Sequence, residues 1–277
     1  MHYGICSKSE DDFDIIGMRK RIKFARNNGI NTCIITGTGE ALQNKKFLRN
    51  LARLFSDMGD PFPNIELQTS GVFILNKKGN LDHNNIELLQ SLGVNTISVS
   101  VSDVFDDNKN LEIMGVPKNL EFDLPALCKV IKKCRFNLRL SLNMTDNYDN
   151  RTPYFVLRTC KELGADQITF RKLYRDNSKS AESRWVADNA CDKYTIDKLN
   201  EYIAGKYYHA DQIQVDGKGT KLYRLPFGAM VYSVMEMSVV IDGNCMSKEE
   251  NEKLKYVILR EDGKLYAQWD DKGSLIF

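Results

Sequence analysis

Asn27-Asn28-Gly29-Ile30-Asn31-Thr32-Cys33-Ile34-Ile35-Thr36-Gly37-Thr38-Gly39-Glu40 is the stretch on which the fold reading turns. An amphipathic segment ends at Gly29, the residue that most easily takes the left-handed conformation closing a helix. A β-rich run, Cys33-Ile34-Ile35, begins within about four residues, the usual length of a helix-to-strand loop. The run then breaks into a polar, glycine-bearing tip.

The same junction recurs twice. Ser91-Leu92-Gly93-Val94-Asn95-Thr96 precedes Ile97-Ser98-Val99, and Glu162-Leu163-Gly164-Ala165-Asp166-Gln167 precedes Ile168-Thr169-Phe170. Three helix-glycine-strand junctions predict repeated parallel β/α units rather than a sandwich.

Between them the spacing predicts a helix over Phe13–Asn27 with an apolar stripe of Ile15, Met18, Ile22 and Ala25. A second helix is expected over Leu42–Met58, with Leu48, Leu51, Leu54 and Phe55 on one side, ended by Pro61-Phe62-Pro63. Ile65–Thr69 alternates like a strand, and Asn85–Leu92 reads as a short helix with His83 in the polar turn before it. Asp123-Leu124-Pro125 opens another helix, with a capping Asp and a first-turn Pro, leading to a strand over Asn137–Asn143. Pro153–Leu163 is the next helix.

After Arg171 the pattern changes. Tyr174–Lys193 reads as polar loop, Thr195–Ile203 as helix, and the rest as short β pieces including Val231–Ile241. Tyr256–Leu259 and Leu265–Ala267 flank Arg260-Glu261-Asp262-Gly263-Lys264, a hairpin signal. The expected fold is therefore α/β: a partial (β/α) barrel of parallel strands near 32–36, 65–69, 96–101, 137–143 and 167–171, with a C-terminal β-rich extension. The expected division is 1–175 and 176–277. A β/α barrel opens on a strand, so a first strand is expected to be missing ahead of residue 1.

Composition narrows the classes. Of 277 residues, 42% are hydrophobic and 27% charged, with net charge +2 and both signs mixed along the chain. That is the balance of an ordinary globular protein, without the clustered cations of a nucleic-acid surface. Arg19-Lys20-Arg21 reads as a solvated helix face. The most apolar stretch, Ala229–Ile241, is too short for a membrane span, and the first ten residues carry no signal-peptide core. The expected compartment is the cytoplasm.

Seven cysteines, Cys6, Cys33, Cys128, Cys134, Cys160, Cys191 and Cys245, include no Cys-x-x-Cys pair. They read as small buried hydrophobes, with Cys245 in a turn. No metal site follows from ligand spacing. His2, His83 and His209 have no nucleophile in a recognisable local context, and no P-loop or dinucleotide fingerprint occurs.

In parallel β/α folds ligands lie at the C-terminal ends of the strands. Here those ends are Thr36–Glu40, Gln68-Thr69-Ser70-Gly71, Ser100-Val101-Ser102-Asp103, Asn143-Met144-Thr145-Asp146 and Arg171-Lys172. All five are polar, which points to a site on one rim. Gly37 and Gly39 allow close backbone approach, and Glu40 is an acceptor suited to an ammonium group. A plain helix start, with Glu40 favoured by the dipole of Ala41 onward, explains the segment equally well.

This segment resembles the Gly-Gly-Glu type motif of the radical S-adenosylmethionine superfamily, which follows the second barrel strand and binds the methionine amino group. The resemblance covers roughly residues 10–175. It implies that Thr36, Gly37, Thr38, Gly39 and Glu40 bind S-adenosylmethionine, with Gln68 and Thr69 facing the cofactor cavity. It further implies Ser100, Ser102 and Asn143 near the ribose and carboxylate, and Arg171 at the carboxylate or adenine side.

The family holds a [4Fe-4S] cluster through Cys-x-x-x-Cys-x-x-Cys, and this sequence lacks that motif, with Cys6 alone in the matching region. The expectation is a fragment beginning past the cluster loop, inactive by itself. With its cluster segment it would form a 5′-deoxyadenosyl radical, acting on a small molecule or peptide with a reductant protein as partner. The alternative is a cluster-less S-adenosylmethionine or nucleotide binding module. A third reading is an unrelated β/α barrel enzyme acting on a phosphorylated or carboxylated metabolite through Arg171 and Lys172. The role of the C-terminal extension, with Tyr223, Arg224, Tyr232, Tyr266 and Trp269, is not encoded in any readable motif.

Overall fold

A computed structural model describes residues 13–37, 39–75, 81–173, 179–205, 219–225, 228–242, 257–260, 263–268 and 272–276. Cys6, Cys245, His2, His209, Thr38 and Trp269, together with the hairpin residues Glu261 and Asp262, lie outside the described residues.

Seven of the eight described α-helices begin where a side chain satisfies a first-turn backbone N–H group, the exception being the last, at Asp192. In α1 (Ile15–Asn27) Asp14 accepts from Gly17 N at 2.8 Å. Its inner face is Met18, Ile22 and Ala25, whereas Ile15, expected in the same stripe, is 53% exposed in the first turn. The helix expected over Leu42–Met58 is two pieces. A 3-10 turn, Ala41–Gln43, stops at Asn44, whose side chain caps α2 (Lys45–Asp57) by accepting from Phe47 N. Asn at this position competes for backbone donors and so divides the run. Leu48, Leu51, Leu54 and Phe55 are buried along α2 as expected.

With β1 (Thr32–Ile35) and β2 (Asn64–Thr69) these form a parallel pair, Cys33 opposite Ile65 and Ile35 opposite Leu67. α3 (His83–Ser91) is capped by Asp82, which makes His83 its first, exposed residue rather than part of a preceding turn.

β3 (Thr96–Val101) is followed by α4 (Asp107–Ile113), a helix with no counterpart in the sequence reading. α5 (Leu124–Lys133) starts at Asp123 with a proline in its first turn, and β4 (Asn137–Met144) follows. α6 (Pro153–Glu162) is capped by Thr152 and feeds β5 (Gln167–Lys172). Within the segment expected as loop, α7 (Ala181–Asn189) is helical, started by Ser180. α8 (Lys193–Ile203) extends the expected helix.

The three glycines behave as their placement requires. Gly29, Gly93 and Gly164 have φ of 81°, 74° and 83°. Each is followed by a residue whose N–H returns to the last turn: Ile30 to Ala25, Val94 to Leu89 and Ala165 to Cys160. This is the Schellman closure. The junction into β4 has the same bonds, Phe136 N to Ile131 O, but carries Arg135 at φ 65°.

The run Val231–Ile241 is not one strand but a hairpin of β7 (Met230–Val234) and β8 (Met237–Asp242), which pair antiparallel. Met235 and Glu236 between them have φ of 49° and 63°. Two successive left-handed residues are what a two-residue hairpin turn needs. β6 (Thr220–Arg224) pairs with β7, and β8 lies parallel to β5, so this part of the chain joins the sheet itself. The strand order is β1-β2-β3-β4-β5-β8-β7-β6, mostly parallel, and β9 (Ile258–Leu259) with β10 (Leu265–Tyr266) is a separate hairpin. The fold is α/β, a mostly parallel eight-stranded sheet with helices and with antiparallel strands toward the C-terminus, as expected for its class.

By its internal contacts the chain divides into two units: 1–69, 73–97 and 250–277 in one, 70–72 and 98–249 in the other. In the first, the core is Leu42, Leu48, Leu54, Phe55, Ile65, Leu67 and Leu89. In the second, Leu138, Leu140, Leu142, Met144, Ile168 and Phe170 are buried with Leu127, Ile131, Leu157 and Cys160 of the helices. Among the described residues no helix is long and apolar enough to cross a membrane.

Candidate functional site

In the first unit the chain leaves β1 at Thr36 and Gly37, both exposed, and passes exposed Gly39 before turning inward at Glu40. Among the described residues a side chain at Gly37 would meet nothing closer than Gly39 N at 3.9 Å, so no packing against them demands glycine there. Glu40 is 7% exposed and starts the 3-10 turn, its Oε1 accepting from Leu42 N at 3.3 Å. The same oxygen accepts from the hydroxyl of Thr69 at 2.8 Å. Thr69 ends β2 and is 4% exposed. A carboxylate from the tip of one strand is thus tied to the tip of its parallel neighbour.

Gln68 goes elsewhere. Adjacent strand residues project to opposite faces, and Gln68 Nε2 donates to Glu66 Oε1 at 3.1 Å. Of the expected residues in this unit, the structure therefore brings Glu40 and Thr69 together and sets Gln68 beside Glu66.

In the second unit Ser102, Asn143 and Arg171 occupy neighbouring tips. Asn143 Nδ2 donates to Ser102 Oγ at 3.2 Å, and Asn143 stands opposite Arg171 in the β4–β5 register. Ser100 lies two residues earlier in β3 and is half-buried.

Other residues contribute beyond those assigned to the ligand, Thr145 from a tip already noted and the rest not singled out by the sequence. Thr145 Oγ1 donates to Ser102 O at 3.0 Å, and Asn110 of α4 accepts from Ser102 N at 2.8 Å. Asp242 of β8 stands opposite Arg171. Ser141 lies in the same alternation as Arg139 and Asn143, opposite Thr169. Ser98 and Ser100 in β3, with Ser102 just past its end, repeat that alternation, and this period of two was the available signal.

The hydroxyls of Ser98 and Ser141 and the Nε of Arg171 are buried without a hydrogen-bond partner. Such groups each cost about 1–3 kcal/mol relative to being satisfied. The opposite face of the same strands is the apolar one, Leu138, Leu140 and Leu142 with Ile168 and Phe170.

The described thiols do not fit a three-thiolate iron–sulfur site. No group of three or more His, Cys, Asp or Glu among the described residues could hold a metal ion. Burial pushes the Cys128 thiol up to about 12, with Asp107 and Asp123 adding to it, and raises Cys160 further. Cys33, half-buried rather than enclosed, is pushed up to about 11 by desolvation. Cys191 is raised to about 12 by desolvation, then by Asp149 and Asp192. Cluster ligands need the thiolate, the form these surroundings disfavour.

No protein-family model matches the chain, and no curated protein does. Solved structures similar to it include two described as radical S-adenosylmethionine enzymes. One is the methyltransferase TsrM from Kitasatospora setae with cobalamin and [4Fe-4S] cluster bound, 14% identical, TM-score 0.36, covering 55% of this chain and 29% of that one. The other is coproporphyrinogen III oxidase (HemN) from Escherichia coli, 17% identical, TM-score 0.47, covering 82% of this chain and 55% of that one. The chain spans just over half of the second protein's length and under a third of the first's.

Proposed function

We propose that this chain is an S-adenosylmethionine-binding domain of the radical S-adenosylmethionine type, with Glu40 receiving the ligand's α-ammonium group. The observation that carries the reading is the buried carboxylate of Glu40, held at the tip of β1 by Thr69 at the tip of β2. A carboxylate fixed by neighbouring donors is organised for a cation before the ligand arrives, so little ordering is needed on binding. Thr36, Gly37 and Gly39 supply an exposed turn beside it. In the second unit Ser102, Asn143 and Arg171 form a polar set of their own, with hydroxyl, amide and guanidinium groups on neighbouring tips, Arg171 being the residue suited to a carboxylate.

S-adenosylmethionine supplies, when bound, a transferable methyl or 5′-deoxyadenosyl group. The protein's residues bind and orient it. The second reading is a domain that binds S-adenosylmethionine or a nucleotide without a cluster.

Calorimetric titration of the full chain with S-adenosylmethionine tests the proposal. Glu40→Gln keeps an oxygen for Leu42 N and Thr69 but removes the charge. Losing one charge-assisted bond, about 1.5–3 kcal/mol, corresponds to roughly 10–100-fold weaker binding. Unchanged affinity in Glu40→Gln, or no binding by the unaltered chain, defeats the assignment. Iron and sulfide reconstitution followed by an absorbance spectrum separates the cluster-bearing reading from the cluster-less one.

A further inference from the structure

We infer that Thr69 is a positioning residue that sets the aim of Glu40 and thereby the selectivity for ligands bearing a free α-ammonium group. The inference rests on the proposed role of Glu40 and goes beyond it by assigning the work of Thr69, which the sequence placed among residues touching the ligand.

Glu40 follows a turn containing two glycines, the backbone type with most freedom, and its side chain has several rotatable bonds. Thr69 has neither source of latitude. It is β-branched, stiff at χ1, and closes a strand whose register with β1 fixes Ile35 opposite Leu67. Its hydroxyl donates at 2.8 Å to Oε1, the oxygen that also takes Leu42 N. The two donors converge on one oxygen from two different elements, which fixes the position of that oxygen relative to both the turn and the sheet. The bond spans 29 residues of sequence, so it registers the turn to the sheet rather than merely stiffening the turn. Thr69 acts through Glu40.

The test uses Thr69→Val, which keeps shape and loses the hydroxyl, and Thr69→Ser, which keeps the hydroxyl. Each is titrated calorimetrically with S-adenosylmethionine and with 5′-methylthioadenosine, which lacks the amino-acid end, and each melting temperature is recorded. Thr69→Val is expected to weaken S-adenosylmethionine binding about tenfold, the loss of one hydrogen-bonded constraint, and to leave methylthioadenosine within twofold. Thr69→Ser restores S-adenosylmethionine binding to within about threefold of the unaltered chain. A merely structural Thr69 predicts equal losses for both ligands, or a lower melting temperature with neither affinity changed; either result overturns the inference. If Thr69→Val does not fold, Thr69→Ala takes its place, and S-adenosylmethionine binding unchanged in that variant likewise overturns it. Failure of Glu40→Gln to weaken S-adenosylmethionine binding strikes the underlying reading instead, so the two failures are distinguishable.

Discussion

Asn110 holds Ser102 from behind: its Oδ1 accepts the Ser102 N–H at 2.8 Å and the Asp103 N–H at 3.4 Å. Asn110 is 1% exposed on α4, and Ser102 in turn receives Asn143. One buried amide thus shapes the end of β3 for the neighbouring tip.

Asn110→Leu removes that acceptor and leaves two backbone donors buried. The expected loss is on the order of 2–3 kcal/mol of unfolding free energy, read from urea denaturation. A loss under 0.5 kcal/mol, the ordinary range of surface substitutions, shows that the donors find another partner.

Arg135 occupies a left-handed position where the three matching junctions carry glycine. Left-handed backbone costs a non-glycine residue about 1–2 kcal/mol, partly offset by the greater chain entropy glycine loses on folding. Arg135→Gly is therefore expected to stabilise the protein by roughly 0.5–1 kcal/mol. The mirror experiment is Gly164→Ala. A Cβ there would meet only Lys132 Cγ at 3.5 Å, an ordinary contact, so its cost of about 1–2 kcal/mol is purely conformational. Melting temperatures moving in the same direction for both variants contradict this account.

Gly71 tests the tip of β2 differently. It has φ of 93°, and a Cβ would lie 2.5 Å from Leu127 Cδ2 and 3.3 Å from Phe122 Cζ. Gly71→Ala combines backbone strain with overpacking and is expected to cost about 2–4 kcal/mol, more than Gly164→Ala. Equal costs for the two variants would show that Leu127 yields freely.

Asp107 gives a pH-dependent prediction. Desolvation holds its carboxyl above the ordinary aspartate range, with Asp123, Asp106 and Asp103 adding and the Leu124 N–H opposing. The folded protein therefore binds that proton more tightly than the unfolded chain. Its stabilising contribution is present below the unfolded pKa and is lost as pH rises through the folded one. At neutral pH the charge opposes folding. Asp107→Asn, which keeps an acceptor for Leu124 N–H, is expected to melt higher than the unaltered chain at pH 7. The gap closes on acidification toward about pH 4, near the free aspartate value. A gap that widens on acidification reverses the assignment.

The raised thiols are expected to alkylate with iodoacetamide at pH 7 more slowly than free cysteine, by at least about 100-fold for Cys33 and about 1,000-fold for Cys191, because so little thiolate is present. Peptide mass mapping over a time course reads this. Rates equal to free cysteine indicate a more open setting for either residue.

What the sequence disclosed follows from how local each determinant is. Gly29, Gly93 and Gly164 announce their junctions because the left-handed turn needs glycine; the junction at Arg135 has the same geometry with no letter to mark it. α7 escaped because Ser183 is its buried residue, so there is no apolar stripe to find. The alternation of Val231–Ile241 signals strand but cannot say that Met235 and Glu236 fold it back, since neither is a favoured turn residue. At the candidate site, the turn ending in Glu40 is visible as a motif. Its partner Thr69 and the Asn110 support of Ser102 are side-chain pairings across the fold, which no local window contains.

The parallel seam between β5 and β8 joins Gln167 to Ser238 and Arg171 to Asp242. A growing polypeptide presents the open flank of β5 long before the strand that covers it has been made. Pairings so distant in sequence form late, and an uncovered strand flank invites other chains. Translation that stalls or terminates between those two strands should yield sticky, aggregation-prone products, whereas release after residue 242 removes that hazard. The hairpin turn at Met235 and Glu236 is therefore the last local event before this flank can be sealed.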